Sequence, residues 1–325
     1  MFRIVGNLGS SESMASQPVH EGGKSPVSAT HRLHKLLHKR LRIPQGMLQP
    51  FLSGARIVTH PTEYWMRKRL AKEIMADDAQ CIQIPQRDGY HFFLQDDIPG
   101  ITEIVRYCTE LYQESRKALS SGSLQNNPKK TYFNVLLEGE DFCQHPELLR
   151  CLVARPILDA VTTYLGTVPQ LSGAMLVWSP QNDSARSSQL YHFDYEDLTQ
   201  LKMFINIFDT AEDQGPLTFL PAHISTQVQK TIGRILGRVS DERIYRAGGQ
   251  AHDLKLVGPS GSGAFLDTSH CLHYGSRFNK RDRLILIVQF LKFHSSYRSY
   301  TPFKAPSTFP DFTPDPVQRL ALGIH

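Results

Sequence analysis

The 325-residue sequence contains no apolar run approaching the roughly 20 residues that a bilayer-spanning helix needs, so stable membrane insertion is not expected. A secretory hydrophobic stretch is missing as well, because Met1 to Val5 gives way at once to Gly, Ser and Glu. Cysteine is scarce. The five present (Cys81, Cys108, Cys143, Cys151 and Cys271) are odd in number and lack paired spacing. That pattern argues against a disulfide framework and makes a reducing cytoplasm the expected compartment. The body of the chain also lacks a charge of one sign. Seven of the 36 basic residues and two of the 31 acidic ones fall within 1–42, so the net +5 resides there and the remainder is balanced. A neutral body argues against a general nucleic-acid binder, which would need a basic face to neutralise phosphates.

What is present is a long, ordinary globular composition, sufficient for one large domain with a sizeable core. Residues 1–30, rich in Ser, Gly and Pro, read as a disordered tail. The segment 31–42 follows, with Leu33, Leu36, Leu37 and Leu41 on one helical stripe and cations elsewhere. Helical spacing then recurs at 62–75, 101–119 and 146–165, the last interrupted by Pro156 and ended by Gly166. A strand is expected at 130–137. From about Pro169 the texture changes to short apolar runs between turn signals: 172–179, 189–195, 201–208, 217–220, 254–257, 263–267, 271–275 and 283–291. One helical insert, 226–238, interrupts them. The expected fold class is α+β, a jelly-roll core at 169–295 covered by a helical part at 43–168, together one domain over 43–325.

Within the strand-rich half, His192-Phe193-Asp194 puts an imidazole and a carboxylate two residues apart, which on an extended chain turns both to one face. A distant second histidine would complete a 2-His-1-carboxylate metal site. Further on, Arg283 opens an almost wholly apolar strand. A cation there is costly unless an anion meets it, and a bound carboxylate gripped by the guanidinium fork is the natural partner. A turn near Phe278-Asn279 would place His273 and Arg283 opposite each other on adjacent strands.

Three ordered blocks carry a resemblance. They are Gln189-Leu-Tyr-His-Phe-Asp194, then 201–209 running into Asp213-Gln-Gly-Pro-Leu-Thr-Phe-Leu-Pro-Ala222, and His273-Tyr-Gly-Ser276 followed by Arg283. In order and spacing the segment resembles the phytanoyl-CoA dioxygenase-like branch of the iron(II)/2-oxoglutarate-dependent oxygenases. The resemblance implies a double-stranded β-helix with His192, Asp194 and His273 as iron ligands. It implies Arg283 as partner of the distal 2-oxoglutarate carboxylate, with Ser276 a candidate contact; if the shared face of the strand at 201–208 turns inward, Phe204 and Asn206 would also lie beside the co-substrate. Tyr191 and Phe193 would border the substrate.

His270 competes for the third ligand position, but His270 and His273 are three apart and only one of them can face inward on a strand. The family context selects His273. The implied reaction consumes 2-oxoglutarate and O2, releases succinate and CO2, and hydroxylates an aliphatic C–H of a small-molecule substrate. Family members that halogenate carry a small residue where Asp194 stands here, so hydroxylation is favoured. Two other readings stay open: a cupin-like metal hydrolase or isomerase, and a non-catalytic sensor that keeps iron and 2-oxoglutarate. Oligomeric state is left open by the sequence.

Overall fold

In the computed structural model of the protein, the described residues are 45–77, 82–120, 132–235, 237–295, 305, 309 and 311–324. The expected tail and the basic segment 31–42 lie outside them. Among the described residues no helix is long and apolar enough to cross a membrane.

Helices come first. Helix α1 (Gln45–Thr59) leads into α2 (Pro61–Ala76), which begins on a proline whose missing N–H would be unpaired in any first turn. Helix α3 (Ile101–Ser120) follows. The stretch expected as one helix at 146–165 forms two, α4 (Pro146–Leu152) and α5 (Arg155–Leu165). The break falls just ahead of Pro156, whose ring is accommodated only in the first turn of the second helix. Gly166, at φ 66°, ends α5 in the left-handed conformation.

Among the described residues, nine strands make two antiparallel sheets: β1 (Tyr90–Phe93), β2 (Asn134–Glu138), β3 (Pro169–Ser179), β4 (Leu201–Asn206), β5 (Thr218–Phe219), β6 (Leu254–Lys255), β7 (Gly263–Leu266), β8 (His273–Tyr274) and β9 (Arg283–Lys292). The larger sheet runs β1-β7-β4-β9-β3-β2 and the smaller β6-β5-β8. Strand β9 is central, pairing β3 on one side (Ser179 opposite Arg283) and β4 on the other (Phe204 opposite Ile287).

Its unbroken apolar sequence reflects burial on both faces. Leu284, Leu286, Val288 and Phe290 join the core beneath α3, α4 and α5. Ile285 points the other way, into a second core with Phe204, Leu217 and Phe219 that lies between the sheets. The α+β expectation is met, with helices on one face of the large sheet and the small sheet on the other.

Other expectations need correction. The segment 189–195 is not a strand: Ser187–Gln189 is a 3-10 turn, and only isolated bridges at Tyr191 and His192 follow. The helical insert, α6 (Ala222–Ile232), starts earlier and stops earlier than 226–238 because Gly233 adopts φ 82°. A short helix α7 (Asp241–Arg246), a C-terminal helix α8 (Pro316–Leu322) and strand β1 are additional. The buried Arg67 ties α2 to the start of β3 and to α8, donating to the carbonyls of Val168, Pro169 and Leu320.

Strands β1 and β4 close tightly on β7 at Gly263, where a Cβ would lie 2.2 Å from Phe93 Cζ and 2.3 Å from the Phe204 carbonyl oxygen. Gly263→Ala is expected to lower stability by about 2–3 kcal/mol in urea unfolding. Gly54→Ala, with nothing within 4 Å of the added methyl group, should raise stability by up to about 1 kcal/mol.

Candidate metal centre

His192 and His273, 81 positions apart, are zipped together by their own backbones. The amide of each donates to the carbonyl of the other at 3.1 Å, and the neighbouring Asp194 amide donates to Thr268 O at 2.9 Å. This pairing sets the two imidazoles side by side, with ring centroids 4.3 Å apart. Each ring is then oriented from behind. His192 Nδ1 lies 2.8 Å from Leu190 O and His273 Nδ1 lies 3.0 Å from Cys271 O. A carbonyl only accepts, so both Nδ1 atoms carry the proton and both Nε2 lone pairs face the cavity.

Asp194 supplies the third group. Its Oδ1 is 3.8 Å from His192 Nε2 and its Oδ2 is 3.5 Å from His273 Nε2. One ligand atom from each residue lies within 4.8 Å of the others. Ligands at right angles, about 2.1 Å from one ion, are about 3 Å apart, so a small inward movement would close this trio on a first-row divalent metal.

The electrostatics suit such an ion. Burial first, then the proximity of the second imidazole, which disfavours a proton on His192, lowers the His192 pKa to about 3, so it is a neutral ligand at physiological pH. Burial opposes ionisation of Asp194, but Lys202 and His273 outweigh it and hold the carboxyl well below the usual range. The Lys202 contact is direct, Nζ to Asp194 Oδ2 at 2.7 Å. Alternation along β4 puts Lys202 and Phe204 on the cavity side, although the sequence gives no sign that Lys202 reaches Asp194.

Arg283 enters from the opposite sheet, which corrects the expectation that it faces His273 on an adjacent strand. His273 lies in β8, paired with β5, whereas Arg283 begins β9 in the larger sheet. The connection between them bends through Ser276 and Phe278, at φ 62° and φ 53°. Arg283 Nη2 donates to Ser276 Oγ at 2.6 Å, and Ser276 Oγ in turn accepts from Ser179 Oγ at 2.9 Å. The other two guanidinium nitrogens, Nε and Nη1, are buried without a partner, and the residue is only 3% exposed. Burial lowers its pKa to about 10, so the group stays charged at neutral pH.

His192, Asp194, His273, Phe204, Ser276 and Arg283 all line one cavity of about 220 Å³, together with Lys202, Arg238 and an apolar wall that includes Phe133, Met175, Leu217 and Ile287. That volume is below the roughly 300–1,000 Å³ of pockets that enclose drug-sized ligands, so it suits small groups.

Three of the expected site residues fall elsewhere. Asn206 sits one turn of the pleat beyond the cavity wall, its Nδ2 donating to Ser262 Oγ at 3.2 Å. Tyr191 and Phe193 point away from the metal trio into a separate core with Leu220 and Ile244, and the Tyr191 hydroxyl donates to Asp253. Alternation requires this, since His192 and Asp194 take the opposite face. His270 is also outside the cavity, with Nδ1 2.8 Å from Asp267 Oδ2, which also accepts from the Tyr164 hydroxyl.

No family model and no curated protein matches the sequence. Solved structures with a similar chain path include apo EctD from S. alaskensis, 15% identical, TM-score 0.49, covering 71% of this chain and 85% of that one. Another is the epimerase SnoN in complex with Fe3+, alpha-ketoglutarate and nogalamycin RO, 16% identical, TM-score 0.44, covering 71% of this chain and 89% of that one. A third is the non-heme monooxygenase ThoJ in a nickel complex, 16% identical, TM-score 0.41, covering 64% and 75% of the respective chains.

Proposed function

We propose that the protein is an iron(II)- and 2-oxoglutarate-dependent dioxygenase that hydroxylates an aliphatic C–H of a small molecule, built as one domain on a double-stranded β-helix core. One observation supports this reading most: a His-Asp-His trio and a buried guanidinium with two unpaired nitrogens share a single small cavity. A hydrolase or isomerase needs the metal ligands but has no use for a buried, half-satisfied cation across from them, because such a cation costs stability unless a ligand anion completes it.

In this reading His192, Asp194 and His273 would hold the iron, and Arg283 would clasp the distal carboxylate of 2-oxoglutarate. When bound, the metal and keto acid supply the activation of O2, with succinate and CO2 as co-products. Ser276 fixes the fork of Arg283 from the side. Lys202 takes one oxygen of Asp194, which leaves the other directed at the metal position. Phe204, Leu217 and Ile285 wall the space and exclude water, so that charges inside interact more strongly than in solution.

The test is an anaerobic titration of the Fe(II)-loaded full chain with 2-oxoglutarate, followed by exposure to O2. A visible charge-transfer band saturating at one equivalent, then O2-dependent succinate release, is the expected result. Tight metal binding with neither band nor succinate would remove the proposal.

A further inference from the structure

The cavity is unevenly charged. Among the described residues that line it Asp194 is the single acidic side chain, set against Lys202, Arg238 and Arg283. Lys202 is engaged with Asp194 at 2.7 Å, and Arg283 lies at the end assigned above to the keto acid. A divalent metal and a dianionic keto acid cancel, so the loaded cavity retains a surplus of positive charge.

Arg238 is the part of that surplus with no assigned use. It is exposed, and it forms no hydrogen bond or ion pair with any described residue. Its backbone is nevertheless held in place. The next residue, Val239, bridges Tyr191, its amide donating to Tyr191 O at 2.8 Å, which fixes Arg238 beside the segment that carries His192 and Asp194. The charge of Arg238 is felt at both His192 and Tyr195, and Arg234 on the same connecting segment also acts on Tyr195. Fixing a backbone next to a metal trio while leaving its guanidinium uncommitted is an arrangement suited to an incoming anion, since the fork donates in pairs to carboxylate or phosphate oxygens. Met175, Phe133 and Ile287, which share the lining, offer no polar partner for anything that follows the anion inward.

We infer that the substrate is a small amphipathic anion whose carboxylate or phosphate is received by Arg238, while its aliphatic body passes over Met175 and Ile287 toward the metal. The inference rests on the dioxygenase reading and adds to it the chemical class of the substrate.

The test uses full-length protein loaded with Mn(II) and N-oxalylglycine, an inert analogue of the keto acid, in calorimetric titrations with hexanoate, hexyl phosphate and the neutral hexanamide. At least one anion should bind about tenfold more tightly than the amide. In Arg238→Gln that preference should shrink to about twofold or less, while Mn(II), N-oxalylglycine and hexanamide affinities stay within about threefold, because an exposed, unpaired side chain is removed. Whichever anion binds better identifies the head group. Equal or unmeasurable binding of both anions relative to hexanamide overturns the inference, as does a preference that survives Arg238→Gln. If Mn(II) or N-oxalylglycine itself fails to bind, the dioxygenase reading fails first and takes this inference with it.

Discussion

Asp194→Ala is expected to abolish metal binding and succinate release together, and to destabilise the metal-free protein. The catalytic loss follows from the ligand count. Removing a residue that merely orients a ligand costs about 10–100-fold in metal affinity, and removing one of three ligands costs more. The stability loss follows from Lys202. Its ammonium group, with a side chain only 14% exposed, lies 2.7 Å from Asp194 Oδ2 and would lose that ion pair. Breaking such a pair from one side costs about 2–4 kcal/mol.

The double variant Asp194→Ala/Lys202→Met separates the two effects. It should regain most of the lost stability in urea unfolding, and it should bind metal no better than Asp194→Ala. His192→Ala, which removes a neutral ligand and strands no charge, should lose activity as completely with a smaller loss of stability. Full turnover in either alanine variant would refute the site.

The second large effect belongs to Arg283. Arg283→Met is expected to weaken 2-oxoglutarate binding by about 100-fold or more, since truncating one partner of a buried charge pair costs about 2–5 kcal/mol and each 1.4 kcal/mol is tenfold. Metal affinity, read by direct titration, should stay within about threefold. The same change should leave the ligand-free protein as stable as the wild type or more so. A 3% exposed cation with Nε and Nη1 unpaired is an unfavourable thing to bury, and a methionine fills similar space without that cost. Loss of co-substrate affinity with an unchanged or higher melting temperature is a combination that a merely structural arginine would not give. A variant that unfolds early while binding 2-oxoglutarate normally would assign Arg283 to the fold alone.

How far the sequence reveals this site depends on how local each interaction is. His192 and Asp194 are legible because a two-residue period turns both to one face, whereas His273 is selected over His270 only through the family resemblance of the block around it. The same period also sends Tyr191 and Phe193 to the opposite side, so their place in a separate core is a consequence of the reasoning that locates the ligands. Asn206 keeps the right face of β4 but lies at its last residue, past the end of the cavity, and a face pattern carries no information about depth.

The Lys202–Asp194 pair depends on a contact between two separate segments, which no spacing within β4 encodes. Arg238 is hidden for a different reason. The expected helical run, 226–238, ends on it, while Gly233 ends α6 at Ile232 and releases the next residues to form the bridge at Val239. The broad division into a helical part and a strand-rich part is readable from texture alone. The sorting of strands between two sheets is not, because it is decided by pairings such as β9 with β3 and β4 that join residues far apart in the chain.

The link from β8 to β9 has a use beyond joining two sheets. Its amides are pinned on the way, Ser276 N to Gly215 O at 2.9 Å and Lys280 N to Asp213 O at 2.7 Å, so the gap between His273 and Arg283 is a gauge made of main chain. A gauge with a set opening sorts by length. In the dioxygenase reading, a keto diacid one methylene shorter than 2-oxoglutarate would fall short of one end of that gap and one a methylene longer would overfill it.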